Sequence, residues 1–414
     1  MINFPLPLEL LKKVNEFSVL DDEPELLWVR MASTGNLEGI QYLHAHGIEG
    51  CTKEVMNYAA DRGHLHVVQW LHENRDEGCT TDAMDLAAGS GHLDVVQWLY
   101  ENRTEGCTTW AMDWAAAEGH LHVVKWLMYN NRLEFPCTEM AMDYASMNGH
   151  LEIVRFLTFT SHIGRTTNAM DHAAGNGHLL VLWFLHDHDG HWVGCTNWAM
   201  DWAAYNGHRD VVMWLSFTLA ERCSEWGLQH VAKKGDLDML QLLLSLVDFG
   251  CDSWAIDLAA KYGHLHVVEW LVERWAPCTT YAMDWAAANG HLCIVKYLHF
   301  TKAEGCTRDA MDAAAQNGHL DVVKWLHENR AEGCTTDAMD AAAEFGHLKV
   351  VQWLHENRAE GCTTDAIDWA AKNGHLEVVK WLHRNRREGY TDAVDMAPVE
   401  VRTWLRAAEW QLNL

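Results

Sequence analysis

The sequence is poor in basic residues, with 31 Lys and Arg against 58 Asp and Glu in 414 residues and a formal net charge of −27. A charge of that sign repels phosphate backbones, so we expect no nucleic-acid partner. No apolar run approaches the roughly 18 residues of a membrane span. The opening residues, MINFPLPLELLKKVNEF, lack the order of a secretory signal. We therefore expect a soluble cytoplasmic protein, with the nucleus or the cytosol of a host cell as alternatives.

Motifs that carry chemistry are also lacking. The sequence has no phosphate-cradling glycine loop, no nucleophile elbow and no HExxH. Its many His and Asp residues are accounted for by repetition, which spreads them along the chain instead of gathering them in one pocket. We therefore predict a protein without enzymatic activity and without a cofactor.

What the sequence does contain is one phrase copied many times. Residues 79–106 read CTTDAMDLAAGSGHLDVVQWLYENRTEG, and the Gly of the Gly-His-Leu step recurs at intervals of 27 to 30 residues, at positions 35, 63, 91, 119, 149, 177, 207, 235, 263, 290, 318, 346 and 374. A constant period indicates one array of about thirteen units in which each unit contacts only its neighbours.

Each repeat is predicted to fold as a helical hairpin. Thr80 has the chemistry of a helix N-cap, and only Thr, Ser or Asp occupies the equivalent positions, never the isosteric Val. The first helix is expected over 81–90, ended by Gly91, and the second over 93–103. Asn precedes that Gly in six repeats, and both residues tolerate the left-handed conformation that ends a helix.

The cysteines follow the same period. Eleven of the twelve occupy the position of Cys79. Equivalent atoms in stacked helical layers lie about 8–10 Å apart, whereas a disulfide needs Cα atoms within about 7 Å. We predict free thiols that pack as small hydrophobic groups.

The pattern AxxGHLxVVxWL resembles the ankyrin signature in its Ala-Ala, Gly-His and Val-Val positions, over roughly residues 25–405. The Trp-Leu-His that follows Val-Val is similar to divergent ankyrin arrays of oomycetes and of giant viruses of amoebae. Two departures are clear: DAMD or WAMD replaces Thr-Pro-Leu-His, and the repeat is about five residues shorter than the usual 33. The resemblance implies an all-α, ankyrin-like solenoid of helical hairpins with shortened or absent β-hairpin fingers.

Two sets of residues in the first helices are candidates for function. The Asp85 position holds eleven carboxylates, which suggest either a cation ladder or, as we favour, hydrogen bonds that tie neighbouring turns. The His after Gly is expected to be structural as well. Positions equivalent to 82, 86 and 90 vary, and their spacing places them on one helix face, which is concave by analogy with ankyrin repeats.

That face is predicted to bind a basic or amphipathic segment of another protein through cation–π and charge contacts. The alternative is that its indoles pack between adjacent first helices. The candidate residues are Trp110, Trp114, Trp198, Trp202, Trp254, Tyr281, Trp285, Trp369, Asp309, Asp337 and Asp365. We expect a monomeric interaction scaffold.

Two further segments depart from the repeat. Residues 186–194, HDHDGHWVG, offer His186, His188 and His191 as weak zinc-ligand candidates, but a solvated polar loop is the interpretation we favour, with no metal. Residues 1–25 are predicted as an N-terminal capping helix, residues 26–389 as the array, and residues 390–414 as a degenerate last repeat and C-terminal cap. Because LPLELLKKVNEF resembles the opening of an F-box, a substrate-recognition subunit of a ubiquitin ligase is the alternative function.

Overall fold

The computed structural model describes residues 24–130, 138–161, 166–187, 194–246, 250–302, 304–391 and 395–412, with the backbone alone for 409–412. Within these residues it contains 27 α-helices and no strand. The all-α prediction is therefore confirmed for the described part of the chain. The helices fall into two compact units, Met1–Leu215 and Ser216–Leu414.

The first unit is a stack of helical hairpins. Up to α25, odd numbers denote the first helix of each hairpin and even numbers the second. The helices of this unit are α1 Pro24–Ser33, α2 Leu37–Ala45, α3 Lys53–Asp61, α4 Leu65–Asn74, α5 Asp82–Gly89, α6 Leu93–Asn102, α7 Trp110–Ala117, α8 Leu121–Tyr129, α9 Glu139–Met147, α10 Leu151–Thr160, α11 Thr167–Gly175, α12 Leu179–Asp187, α13 Asn197–Asn206 and α14 Arg209–Trp214.

The second unit repeats the arrangement and ends in a longer helix. A π-helical turn, Leu215–Leu219, precedes its first hairpin. Its helices are α15 Glu225–Lys234, α16 Leu237–Leu246, α17 Ser253–Lys261, α18 Leu265–Glu273, α19 Thr280–Ala288, α20 Leu292–Thr301, α21 Asp309–Gln316, α22 Leu320–Asn329, α23 Asp337–Glu344, α24 Leu348–Asn357, α25 Asp365–Lys372, α26 Leu376–Asn385 and α27 Val399–Leu412.

The core of each unit is built from the same few side chains in every hairpin. The Ala87-Ala88 pair and the Val95-Val96 pair are completely buried. The small Ala pairs let neighbouring first helices pack closely, whereas bulkier side chains separate the second helices. His72 of one second helix meets Trp98 of the next edge to face, with ring centroids 5.2 Å apart. The indole at the Trp98 position thus fills space between successive second helices.

At most repeats, two features require glycine at the position that ends the first helix. Gly91 has φ = +80°, in the left-handed region, and a methyl group added there would lie 2.6 Å from Cε1 of His120 in the next repeat. The explanation predicted for the preceding Asn is wrong. Asn148 has φ = −97°, and its side-chain amide instead donates to the Ala117 carbonyl of the previous repeat at 2.7 Å.

The cysteines behave as predicted wherever the structure describes them. All of the described cysteines are free, and most are buried or half-buried at the repeat position. Burial raises the pKa of Cys79 to about 11 and that of Cys107 to about 12. Neutral thiols of this kind are inert core groups. Cys137 lies outside the described residues.

The predicted division into an N-terminal cap, an array and a C-terminal cap stays a prediction. Residues 1–23 lie outside the described part of the chain, and the described helices begin with Pro24–Ser33, in which Trp28 is completely buried. At the other end, Val401 and Leu405 of α27 are buried.

Candidate functional site

The carboxylates of the Asp85 position bind the next repeat rather than facing solvent. Asp85 accepts hydrogen bonds from the Thr108 backbone N–H at 2.8 Å and from the Thr108 hydroxyl at 2.7 Å. Asp340 binds Thr363 in the same way, at 2.8 Å for both contacts. The structural interpretation of this Asp is confirmed at these positions.

This ladder also explains why Thr occupies the cap position. The Thr108 hydroxyl donates to Asp85 and accepts from the Trp110 backbone N–H at 3.1 Å, so it caps the helix and bridges two repeats. Val could do neither. Where Asn57 replaces Asp, its amide oxygen accepts from the Thr80 N–H at 3.1 Å and its NH₂ donates to the Thr80 hydroxyl at 2.9 Å.

The His after Gly forms a second ladder between repeats. His64 Nε2 donates to the Ser33 carbonyl at 3.1 Å, and His264 Nε2 donates to the Lys233 carbonyl at 2.8 Å. Burial lowers the pKa of His64, His178 and His347 below its usual value. The neutral form of the ring, which packs against the glycine of the previous repeat, is therefore favoured. The predicted structural role of this His is confirmed.

A third ladder was not predicted. Arg103 pairs with Glu105 of its own loop, and its Nη1 donates to His72 Nδ1 of the previous repeat at 3.2 Å. Arg358 pairs with Glu360 and reaches His327 Nδ1 at 3.3 Å in the same way. The recurring phrase HENRxEG carried the signal, because its His, Arg and Glu return at fixed spacing.

With these positions assigned to structure, the variable positions 82, 86 and 90 of the first helices remain. We call the surface they form in each unit the first-helix face. In the first unit it carries two aromatic pairs, Trp110 with Trp114 and Trp198 with Trp202, whose ring centroids are 5.1 and 5.3 Å apart.

The two rings of each pair have different surroundings. Trp198 is 47% exposed, whereas Trp202 is half-buried and stacks on His172, with ring centroids 5.8 Å apart. A methyl group on Gly175 of the previous helix would lie 3.1 Å from Trp202 Cβ. The Trp202 indole therefore packs between first helices, whereas the Trp198 indole presents nearly half of its surface to solvent.

In the second unit the first-helix face begins with a cluster of aromatic rings. Tyr281 stacks on Trp285 with centroids 5.1 Å apart, and Trp254 lies 5.8 Å from the same indole. Lys261 Nζ sits 4.8 Å from the Trp285 ring centroid. One face of this indole is thus already engaged by a cation of its own chain.

Further along the second unit the face becomes acidic. Asp309, Asp337 and Asp365 occupy the same position in three successive first helices, and each begins its helix. Asp309 and Asp337 are exposed and Asp365 is half-exposed. Within the described residues none of the three carboxylates forms an ion pair.

Small residues lie next to these carboxylates. Ala313 and Ala341 occupy the position that holds Trp285 in the preceding helix and Trp369 in the following one. Trp369 is 39% exposed. The result is an acidic trough, which we define by Asp309, Asp337 and Asp365 along one edge and by Ala313, Ala341 and Trp369 as its floor and end.

Of the three weak zinc-ligand candidates, the structure describes only His186. His186 is half-buried and meets Trp214 edge to face, with ring centroids 5.7 Å apart. His188 and His191 lie outside the described part of the chain. No group of three His, Cys, Asp or Glu suited to a metal ion occurs among the residues that the structure describes.

Both units are stacks of short helical hairpins cross-linked by hydrogen bonds, which is the class of α-helical repeat proteins. The family profile "Ankyrin repeats (3 copies)" matches residues 28–113, 86–171 and 228–309, and "Ankyrin repeats (many copies)" matches residues 339–383. These matches cover more than half of the chain, which therefore belongs to the ankyrin-repeat family. No curated protein matches it.

Membership supports a general role in protein–protein interaction, and ankyrin repeats are typically non-enzymatic modules. None of the described helices combines the length and hydrophobicity needed to span a bilayer.

Proposed function

We propose that this protein is a non-enzymatic scaffold that holds a basic or amphipathic segment of another protein on its first-helix face. The observation that carries the proposal is the acidic trough of the second unit. Its three carboxylates are repeated at one position, lie at or near the surface, and form no ion pair among the described residues. They are therefore free to receive cations from a partner.

The spacing of the trough suggests what it would bind. Neighbouring helices lie about 8–10 Å apart, so successive carboxylates are separated by roughly that distance. In an α-helical ligand, residues seven apart are separated by about 10.5 Å along the axis. In a polyproline-II peptide, residues three apart share one face and are separated by about 9 Å. Lys or Arg at either spacing would meet the three carboxylates in turn.

The aromatic residues would supply apolar contact. Trp369 closes one end of the trough, where an incoming Lys or Arg would gain a cation–π contact. Trp110 and Trp198 of the first unit and Trp254 and Tyr281 of the second are 44–49% exposed, and we propose them as further contact residues of their own units. Trp114, Trp202 and Trp285 support these rings from below.

The proposal needs neither a cofactor nor a second copy of the chain. Free cysteines throughout the described residues support a reducing compartment such as the cytoplasm. The ubiquitin-ligase alternative depends on residues 1–25, most of which lie outside the described residues, so no observation favours it.

The test is quantitative affinity capture with a charge-matched control. The trough variant combines Asp309→Asn, Asp337→Asn and Asp365→Asn. The control combines Asp321→Asn, Glu328→Gln and Glu356→Gln, which removes the same charge from exposed positions on the second helices of the same unit. Loss of exposed charge pairs worth about 1 kcal/mol each predicts roughly 100-fold weaker capture by the trough variant.

The control should capture the same proteins as the parent chain. Equal losses of capture in both variants would mean that net charge alone attracts the partners. Unchanged capture by the trough variant would show that the trough does not bind them.

A further inference from the structure

The repeated sequence provides its own reference for what a second helix exposes to solvent. At the positions of Gln97 and Glu101, the regular hairpins carry a polar residue followed by Glu, as in Gln69 with Glu73 and Gln352 with Glu356. Three consecutive second helices of the first unit, α8, α10 and α12, depart from this rule, and in the next one, α14, Met213 replaces the polar residue. The pairs become Lys125 with Tyr129, Arg155 with Phe159, and Trp183 with Asp187.

These departures create an exposed apolar surface. Tyr129 is 69% exposed, Phe159 67%, Leu180 70%, Trp183 54% and Met213 41%. We call these five residues the second-helix patch. Ring contacts run beneath it from helix to helix, with centroids 5.9 Å apart for Tyr129 and Phe156 and 6.1 Å apart for Phe159 and Phe184. The patch is therefore continuous over α8, α10 and α12.

Helix α12, which contributes two residues of the patch, has the composition of a helix covered on both sides. α12 reads LLVLWFLHD. Val181, Leu182, Phe184 and Leu185 are buried on its inner side, and Leu180 and Trp183 are apolar on the outer side. Helices that are apolar all round are normally buried all round. A surface of this kind on a soluble protein marks an interaction site.

The charges around the patch are balanced, unlike those of the chain as a whole. Lys125, Arg155 and Arg209 lie on its borders together with Glu152, Asp187 and Asp210. The outward Glu of the regular hairpins has been replaced by Tyr129 and Phe159. Two copies of a chain with net charge −27 repel each other over most of their surfaces, but here they can approach without juxtaposing like charges.

We infer that a second copy of this chain docks on the second-helix patch in a two-fold symmetric pair. The same apolar residues then meet across the axis, and the mixed charges around the patch, where Arg155 already pairs with Glu152 at 3.5 Å, present no uniform charge to repel the second copy. The sequence alone predicted a monomer, and the patch is the observation that revises that prediction.

The area is sufficient for such a pair. Side chains of this size expose about 150–250 Å² each when fully accessible, so the measured exposures leave roughly 600 Å² for the five residues. A standard interface buries about 800 Å² on each partner. The patch therefore supplies most of the required surface, and the charged border supplies the rest.

Sedimentation equilibrium of the full chain under reducing conditions tests the inference. We expect the mass to rise with concentration from the 47.1 kDa of one chain to twice that value and no further. The patch variant combines Phe159→Glu, Leu180→Asp and Trp183→Gln, each of which restores the residue of the regular hairpin of residues 93–102. These residues are tolerated in other repeats, so the fold should persist, and circular dichroism checks that it does.

The patch variant should raise the dimer dissociation constant about 30-fold or more, as expected for losing a central aromatic anchor. The control is Phe300→Glu, because Phe300 is 78% exposed and occupies the position of Phe159 in a repeat of the second unit, where its ring meets that of its neighbour His299. A chain that stays monomeric at all concentrations would overturn the inference. Larger open-ended assemblies, or a dimer weakened equally by the control, would also overturn it.

Discussion

Substitutions in the Asp–Thr ladder can distinguish the contribution of its hydrogen bonds from that of the buried Asp charge. Asp340 is 3% exposed, and its two oxygens accept from the N–H and the hydroxyl of Thr363 at 2.8 Å each. Asp340→Ala leaves both donors without their acceptor. Each unsatisfied buried group costs about 1–3 kcal/mol, and removing a buried carboxylate offsets part of that cost. The free energy of opening this junction should therefore fall by about 2–4 kcal/mol.

Asp340→Asn should behave differently. The chain already contains this arrangement, because Asn57 accepts from the Thr80 N–H and donates to its hydroxyl. The Asn variant keeps both bonds by reversing the second one and removes a buried charge. We expect its stability to lie within about 1 kcal/mol of the parent at neutral pH.

The pH dependence has a definite sign. Burial raises the pKa of Asp340, so the folded state binds a proton more readily than the unfolded state does. The penalty for burying the carboxylate is present above the folded-state pKa and is relieved as pH falls through it towards the unfolded value near 3.9. The parent should therefore gain stability relative to Asp340→Asn as the pH is lowered through this window.

Hydrogen exchange of the intact protein is the suitable assay, because helical repeats open locally and a single unfolding free energy is not defined for a long array. Amides of α23 and α25 should exchange roughly 30- to 1,000-fold faster in Asp340→Ala and within about fivefold of the parent in Asp340→Asn. Asp337→Ala, which removes an exposed carboxylate from the same helix, is the control. If Ala and Asn loosen the junction equally, the hydrogen bonds are not what holds it.

Two further pairs of substitutions test the packing. Gly318→Ala meets both the left-handed φ of +78° and a contact of 2.7 Å with His347 Cε1, whereas Gly207→Ala meets φ = +87° with nothing within 4 Å. Gly207→Ala should destabilise its repeat by about 1–2 kcal/mol, and Gly318→Ala should destabilise its repeat by at least about 1 kcal/mol more. Equal local hydrogen-exchange rates in the two variants would show that the contact with His347 does not contribute. Trp202→Ala should destabilise its hairpin by about 2 kcal/mol and Trp198→Ala by under about 1 kcal/mol, in proportion to the burial of each ring. Comparable losses of thermal stability in the two variants would contradict the conclusion that Trp202 packs between helices and Trp198 faces solvent.

The repeat made much of the fold predictable. The period placed the hairpins, and the choice among Thr, Ser and Asp at one position identified the cap before the structure showed that Thr108 also bonds Asp85. Predicted helix bounds of 81–90 and 93–103 became Asp82–Gly89 and Leu93–Asn102. Prediction worked best where a residue's role lies within its own turn or the adjacent one.

Failures occurred where a side chain acts at a distance of about one repeat. The sequence predicts that Asn148 ends its helix through its own backbone conformation, but its side chain donates a hydrogen bond to the Ala117 carbonyl of the previous repeat. The Arg103–Glu105–His72 contacts join residues up to 31 positions apart, and no local propensity contains them. The division at Leu215 was not predicted, and the exposure of Trp198 as against Trp202 depends on Gly175, a residue of another helix.

The first junction of the array shows why the repeated positions must vary together. Val29 stands where Asp85 stands in the regular repeat, so it offers Thr52 no acceptor. The Thr52 hydroxyl is buried and has no hydrogen-bond partner among the described residues. At other described junctions the two positions hold a matched donor and acceptor: a carboxylate with a hydroxyl in most repeats, Asn57 with Thr80, and Gln229, whose NH₂ donates to Asp252 at 2.7 Å. Each hydrogen bond between repeats needs a donor in one repeat and an acceptor in the next. Replacing only the donor or only the acceptor therefore leaves a buried polar group unsatisfied. The two positions are matched for this physical reason, whereas exposed positions such as Asp309, Asp337 and Trp183 differ from repeat to repeat, and these are the positions that we propose as contacts for partners.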